Sequence, residues 1–369
     1  MIRGRVSRWR ELALWAAVAL TLLPWSPFTR VANPGYVTPF IFVQTPLYLF
    51  TVAGMLVLGA WVCSRIRWLG VGALYVTVLA VLAPSDLALA TAHWVTLGAA
   101  GIALLSCLSP AGRRWIVWAL VVSTLAQIGY ALLQYGHRDL LLFGLTPVAM
   151  IVPVGTLGNP KYLGAMIAMV APLGPPWLLP FFILGIALSQ SVLAAVALAA
   201  GLLVRYGLRR WWVWANAAFI LAVAIWVHGP STDSLWARLI TWQLALNAWA
   251  WHGLWAWLFG SGFGTWFLDI PRLQVAIWTN PAEVFFSAHN EPLQLLYEGG
   301  LMGVGILVAW IVASGRSWAR SPAFPGLVAL AVLCGGLQVL HIPTLAPSAL
   351  LVLGVCSEAC STSSDGAAF

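Results

Sequence analysis

The chain has 369 residues, of which 62% are hydrophobic and 8% charged, and its mean hydropathy is +0.92. This composition excludes a water-soluble domain of that length and predicts an all-α integral membrane protein with a single polytopic domain over residues 1–369. The net charge of +8 comes largely from arginines in short loops between apolar runs. That pattern is typical of membrane topology rather than of nucleic-acid binding.

Apolar runs suited to membrane helices recur along the whole chain. Between residues 145 and 204, prolines divide the chain into short pieces, which a membrane tolerates where protein or a cavity covers the freed backbone groups. The pattern predicts about twelve spanning helices. They lie near residues 11–25, 40–62, 68–84, 88–108, 115–135, 161–174, 176–188, 191–204, 211–228, 291–313, 324–341 and 344–356.

The basic residues predict the orientation of these helices. With the N-terminus inside, nine arginines fall in loops on the cytoplasmic side, as the positive-inside rule favours, and fewer basic residues fall on the opposite face: Arg30, Arg138, Lys161, Arg238 and Arg272. The nine cytoplasmic arginines are Arg65, Arg67, Arg113, Arg114, Arg205, Arg209, Arg210, Arg316 and Arg320. The same topology places a large loop, residues 229–290, on the opposite side of the membrane, between the ninth and tenth helices.

This large loop is the only one long enough to form a substructure. Residues 234–258 combine a narrow polar stripe with many tryptophans, which predicts a helix lying in the membrane interface; a thirteenth span is the alternative. Gly260, Gly262 and Gly264 then predict a tight turn. The five cysteines and six histidines show no metal-ligand spacing, so no metal is expected.

The most informative stretch, residues 287–303, follows the loop. A helix is expected to begin near Asn290, and Asn290, Gln294 and Glu298 then recur every four residues on one face, with His289 at its edge. Polar groups at the start of a membrane helix usually line a cavity or a pathway. The alternative is a capped helix end in which a neighbouring helix neutralises Glu298.

Three separated stretches carry a family resemblance. Ala288-His289-Asn290 is followed by Leu293-Gln294, Glu298-x-Gly300 and Gly303; residues 155–162 read Gly-Thr-Leu-Gly-Asn-Pro-Lys-Tyr; and Arg238-x-x-x-Trp242 precedes Gly260-x-Gly262-x-Gly264-x-x-Phe267. Together and in this order they resemble the superfamily of O-antigen ligases and O-antigen polymerases, which includes the bacterial protein O-oligosaccharyltransferases. The resemblance covers residues 150–313. Two positions depart from it, because Gln190 and Lys161 stand where the family usually has arginine and asparagine.

The resemblance implies an enzyme of the bacterial inner membrane with its site facing the periplasm. Such enzymes move a glycan from undecaprenyl diphosphate to an acceptor hydroxyl with inversion, using neither metal nor cofactor. The implied partners are the lipid-linked glycan donor, membrane lipid, and an acceptor that is a glycan, lipid A-core or a glycoprotein.

The chemistry assigns roles to the polar residues. His289 is the expected catalytic base or positioning group for the acceptor hydroxyl, and Arg238 is expected to stabilise the leaving diphosphate. The residues expected to bind substrate are Arg272, Asn290, Gln294, Glu298, Lys161 and Asn159. Lys161 is a candidate for the charge that the family arginine at position 190 would supply.

Ligase, polymerase and protein transferase share one donor chemistry, and ligase is the favoured interpretation. A transporter or flippase for a lipid-linked or polar solute is an alternative of another class, in which the interrupted helices and Glu298 form a midplane site. A non-catalytic assembly protein is a third alternative.

Overall fold

A computed structural model describes residues 67–82, 108–136, 153–207, 233–277, 288–337, 339–340 and 345–357, with isolated residues between 95 and 106 and between 211 and 222. Every regular element in these residues is helical, which confirms the all-α class. The helices predicted near residues 11–25 and 40–62, and most of those near 88–108 and 211–228, lie outside the described residues.

The described α-helices are numbered here in chain order. They are α1 (Arg67–Leu82), α2 (Pro110–Tyr135), α3 (Pro160–Val170), α4 (Leu179–Ser189), α5 (Val192–Tyr206), α6 (Asp233–Trp251), α7 (Leu254–Phe259), α8 (Thr265–Ile277), α9 (Glu291–Arg320), α10 (Phe324–Cys334) and α11 (Ala346–Cys356).

Two of these helices, α2 and α9, are long and apolar enough to cross a membrane, with mean hydropathies of 1.9 and 1.8 over their most apolar windows. Protein covers only 28% of that window in α9. Val308, Ile311 and Val312 are among its exposed apolar side chains. Shorter apolar helices include α5, α10 and α11.

The main hydrophobic core is formed by α2, α3, α4, α5, α10 and α11. Small residues allow α3 to lie close to its neighbours: a Cβ on Gly164 would lie 2.6 Å from the Ser189 Oγ and 2.9 Å from the Ala194 Cβ. The turn between α4 and α5 therefore contacts the first half of α3. This turn includes Gln190, whose φ is +50°.

The proline-rich region between α3 and α4 is interrupted, as the sequence predicts. Short 3₁₀ segments, Ala171–Leu173 and Pro176–Leu178, separate the two α-helices. The Arg205 guanidinium, at the end of α5, donates hydrogen bonds to the carbonyl oxygens of Pro172 and Gly174. A side chain from a neighbouring helix thus satisfies carbonyl groups that the interruption leaves without helical partners.

Several predicted boundaries are wrong. The helix expected over residues 234–258 ends at Trp251, and Gly253, with a φ of +84°, separates it from α7. Gly253 adopts this backbone because it has no Cβ. Helix α10 ends at Cys334 rather than near 341.

The helix expected over residues 291–313 continues to Arg320, so Arg316 and Arg320 lie on helix α9 rather than in a loop. It is also interrupted at Gly300, where φ is 61° and ψ is −167°. The interruption divides α9 into residues 291–299 and 301–320.

Candidate functional site

The start of α9 confirms the predicted helix boundary. Asn290 is the N-cap, and its side-chain oxygen accepts a hydrogen bond from the Leu293 amide at 2.9 Å. The nitrogen of the same side chain donates to the Gly335 carbonyl at 3.2 Å. Asn290 therefore both begins α9 and ties it to the residues that follow α10.

Arg238, on α6, contacts the same turn. Its guanidinium donates to the carbonyl oxygen of Gly336 at 3.3 Å, one residue beyond the partner of Asn290. Arg238 is half-buried. The Gly335–Gly336 turn thus fixes two residues that lie far apart in the sequence.

His289 lies between these contacts, half-buried and next to Asn290. Burial, followed by the charges of Arg238 and Lys161, lowers the pKa of His289 from 6.5 to about 4. Both effects disfavour the imidazolium. The side chain is therefore neutral at pH 7 and able to accept a hydrogen bond, but its low pKa makes it a weak base.

Lys161 is an exposed residue at the start of α3, and its charge contributes to the lowered pKa of His289. Asn159 is the N-cap of α3 and accepts a hydrogen bond from the Lys161 amide at 2.8 Å. The structure gives Asn159 a role in beginning the helix that carries Lys161.

Two glutamines that the sequence reasoning missed hold the loop before Asn159. On α2, the Gln134 side-chain oxygen accepts from the amides of Val154 and Gly155 at 3.0 and 2.8 Å. The Gln127 side chain bonds both the amide and the hydroxyl of Thr156, at 2.9 and 2.6 Å. Their signal in the sequence was a pair of amides seven residues apart on an otherwise apolar helix, which places them on one face.

Glu298 lies in the interior, 2% exposed. Its Oε1 accepts from the Trp266 amide at 3.2 Å and from the Gln294 side chain at 3.3 Å. Trp266 is in the first turn of α8, where a carboxylate is favourable. These contacts favour the structural alternative for Glu298 over a direct contact with substrate.

The loop at Gly260 and Gly262 fills the interruption of α9. The amides of Ser261 and Gly262 donate to the carbonyl oxygens of Tyr297 and Glu298 at 2.9 and 3.0 Å. The Tyr75 hydroxyl, from α1, donates to the Gly299 carbonyl at 2.6 Å.

The backbones meet too closely in this loop for a side chain at either glycine. A Cβ on Gly300 would lie 2.5 Å from the Gly260 nitrogen, and one on Gly260 would overlap the Glu298 carbonyl. The glycines of this region are therefore required by close approach as well as by their positive φ angles.

Arg272 does not join the cluster. It is exposed on α8, and it is not among the charges that shift the pKa of His289. The structure therefore brings His289, Asn290, Arg238 and Lys161 together and leaves Arg272 apart. Within the described part of the chain, no three His, Cys, Asp or Glu side chains gather as metal ligands would.

No family model matches the chain, and neither does any curated protein. The resemblance to the O-antigen ligase superfamily therefore rests on the three motif stretches alone.

Proposed function

We propose that this protein is an inner-membrane glycosyltransferase of the O-antigen ligase type. It would move a glycan from undecaprenyl diphosphate to an acceptor hydroxyl on the periplasmic side. The supporting observation is that Arg238 and Asn290, the neighbour of His289, bond the same Gly335–Gly336 turn, and the charges of Arg238 and Lys161 act on the imidazole. A base and a diphosphate site are the two groups that such a transfer needs.

In the proposed reaction, the acceptor oxygen attacks the anomeric carbon of the donor sugar. The bond between that carbon and the diphosphate oxygen breaks, and the configuration inverts. His289 takes the proton of the acceptor hydroxyl, while Arg238 and Lys161 stabilise the charge that develops on the leaving diphosphate. A pKa of about 4 makes the imidazole a weak base, so His289 first accepts the hydrogen bond of the acceptor hydroxyl and takes its proton only as the new bond to the anomeric carbon forms and acidifies that hydroxyl.

The proposal includes the finer membrane topology. About twelve helices cross the bilayer, and the loop at residues 229–290 faces the periplasm. The short helix α7 presents Trp255 and Leu254 at 75% and 67% exposure, as expected of a segment at the membrane interface. Arg316 and Arg320, at the opposite end of α9 from His289, suit the cytoplasmic side.

Ligation to lipid A-core is the favoured acceptor reaction, with glycan polymerisation and transfer to a protein hydroxyl as alternatives in the same family. All three use the same donor chemistry. The acceptor panel in the experiment below distinguishes them.

A transporter for a lipid-linked or polar solute is a second candidate, because α9 is interrupted at Gly300 next to a buried carboxylate. In transporters, however, the freed backbone groups of such a helix bind the solute. In this chain the carbonyls of residues 297–299 already accept hydrogen bonds from Ser261, Gly262 and Tyr75. This arrangement favours the enzyme.

The test is glycan transfer in reconstituted membranes from a synthetic undecaprenyl-diphosphate oligosaccharide, with EDTA present and with lipid, glycan and peptide acceptors. We expect transfer by the wild type and a loss of about 10²- to 10⁴-fold in His289→Ala and in Arg238→Ala. Arg316→Ala, which removes an exposed arginine at the far end of α9, is the matched control and should remain active. Donor binding without transfer to any acceptor would overturn the proposal in favour of the transporter.

A further inference from the structure

The backbone of His289 has a conformation that histidine rarely adopts. Its φ is +48°, in the left-handed region where a Cβ crowds the neighbouring backbone. A residue keeps such a conformation only where its surroundings impose it. The contacts on either side of His289 therefore determine where its imidazole lies.

Side chains from different helices hold both neighbours of His289. On one side, the Trp242 indole N–H donates to the Ala288 carbonyl at 2.6 Å. Ala288 itself is only 1% exposed, and its amide lies 3.5 Å from the Gln294 side-chain oxygen. On the other side, Asn290 is held by its bonds to Leu293 and Gly335.

These contacts close into a ring. Trp242 and Arg238 are four residues apart on α6 and share one of its faces. Arg238 bonds one end of the Gly335–Gly336 turn, Asn290 bonds the other, and Trp242 bonds Ala288. The imidazole of His289 and the guanidinium of Arg238 are thus attached to the same frame.

We propose that Trp242 is a positioning residue, whose hydrogen bond to the Ala288 carbonyl sets the backbone of His289 and fixes the imidazole relative to Arg238. Gln294 supports the same backbone from the Ala288 amide rather than binding substrate. The effect on transfer rests on the function proposed above, whereas the effect on the placement of His289 does not.

The proposed reaction requires a fixed separation between the imidazole of His289 and the guanidinium of Arg238. Proton removal by His289 and charge stabilisation by Arg238 act on one reacting bond, so their separation must be fixed within a fraction of an ångström. Removing the indole N–H would release the Ala288 carbonyl even where an aromatic ring remains at position 242. The imidazole would then move relative to the guanidinium without any change in the residues that carry charge.

The experiment compares Trp242→Phe, which removes the N–H and keeps an aromatic ring, with Trp249→Phe. Trp249 lies two turns further along α6 and packs against the same cluster as Ala288, but its N–H donates to the Ala256 carbonyl at 3.2 Å, so it controls for the loss of indole bulk without loss of the bond to Ala288. The first readout is the titration of His289 in the full-length protein in nanodiscs, measured by NMR with ¹³C-labelled histidine and assigned with His289→Gln. The second is kcat and KM for the transfer.

We expect Trp242→Phe to raise the pKa of His289 from about 4 towards 6.5, because a loosened backbone exposes the imidazole. Its kcat should fall about 100-fold, with KM changed less than about twofold. Trp249→Phe should match the wild type in both readouts, and Gln294→Met should change both in the direction of Trp242→Phe. A Trp242→Phe protein with an unchanged His289 titration would overturn the inference.

The two readouts separate the two proposals. A wild type that transfers no glycan would refute the proposed function, while the His289 titration would still test the role of Trp242. A changed titration with an unchanged kcat would instead overturn the catalytic part of the inference.

Discussion

Among the described residues, helices are interrupted between α3 and α4 and at Gly300, and the freed carbonyl groups are satisfied differently at these two points. At the interruption between α3 and α4, a single charged side chain, Arg205, donates to the carbonyls of Pro172 and Gly174. At Gly300, the donors are two backbone amides of the Gly260–Gly262 loop and the Tyr75 hydroxyl. A long flexible side chain serves one interruption, and a close backbone contact serves the other.

The two interruptions differ in how much movement of the hydrogen-bonding groups they can accommodate. A guanidinium on a flexible stem adapts to small shifts of its partners, whereas two backbones in contact leave no room for adjustment. The backbone contact involves the half of α9 that Asn290 caps, because Tyr297 and Glu298 belong to residues 291–299. The contact that cannot adjust thus lies on the half-helix that begins next to His289, and the adjustable Arg205 contact lies elsewhere in the chain.

The largest expected effect is at the backbone contact. Gly300→Ala adds a Cβ at a positive φ, 2.5 Å from both the Gly260 nitrogen and the Leu258 carbonyl oxygen. We expect a loss of about 4 kcal/mol in the free energy of unfolding, together with loss of the proposed transfer. Unfolding in detergent by SDS titration measures the first effect.

Gly305→Ala is the matched control on the same helix. A Cβ at Gly305 meets no atom of the described residues within 4 Å, so this variant should be as stable as the wild type or more stable by up to about 1 kcal/mol. Equal stability of the two variants would mean that the backbone contact at Gly300 is not as close as described.

A smaller effect is expected at the other interruption. Arg205→Met removes the donors to Pro172 and Gly174 but keeps much of the aliphatic stem, so we expect a loss of about 2 kcal/mol in the free energy of unfolding. Arg205→Lys should recover part of it, since an ammonium group also donates hydrogen bonds. The proposed transfer, assayed at a temperature where both variants are folded, should stay near the wild-type rate. A rate that falls with Arg205→Met would contradict the separation of the two regions.

The smallest expected effect concerns charge rather than packing. The charge of Lys161 contributes to the low pKa of His289, so Lys161→Gln should raise that pKa above about 4. The imidazole then becomes protonated at a higher pH, and the acid limb of the pH–rate profile moves upward. Lys161→Arg should leave the acid limb in place. Arg205→Met should leave it in place too, because the charge of Arg205 is not among those that shift the pKa of His289.

The same pKa predicts a dependence of stability on pH. Because the pKa of His289 is lower in the folded chain than the 6.5 of an unperturbed histidine, the unfolded chain binds more protons between the two values. The contribution of His289 to stability is complete above about pH 6.5 and is lost as the pH falls towards 4. His289→Gln should remove this dependence in an unfolding experiment between these pH values.

The sequence predicted the features that depend on local chemistry. The helical class, the start of α9 at Asn290 and the interrupted region before α4 follow from apolar runs, capping residues and prolines. The hydrogen bond between the Trp266 amide and Glu298 could not be predicted in this way, because Trp266 lies on a different helix, 32 residues earlier. The break at Gly300 was missed because a glycine in an apolar run is compatible with an unbroken helix, and only the close loop at Gly260 shows otherwise.

The membrane count of about twelve and the roles of the site residues stay predictions. The geometry nevertheless distinguishes among the predicted site residues. It groups His289 with Arg238 and Lys161, gives Asn159 and Glu298 capping roles, and leaves Arg272 exposed on α8. Spacing along the sequence does not predict which of these residues come together, because that depends on how α3, α6 and α9 pack.

The two glutamines of α2 have a consequence for how the chain is made. Gln127 finds its partner, Thr156, 29 residues later in the chain, and Gln134 bonds Val154 20 residues later. Helix α2 is long and apolar enough to cross a membrane, and in a spanning helix these amides would lack their protein partners until the loop that leads to Lys161 had followed. We therefore expect α2 and this loop to insert as one unit.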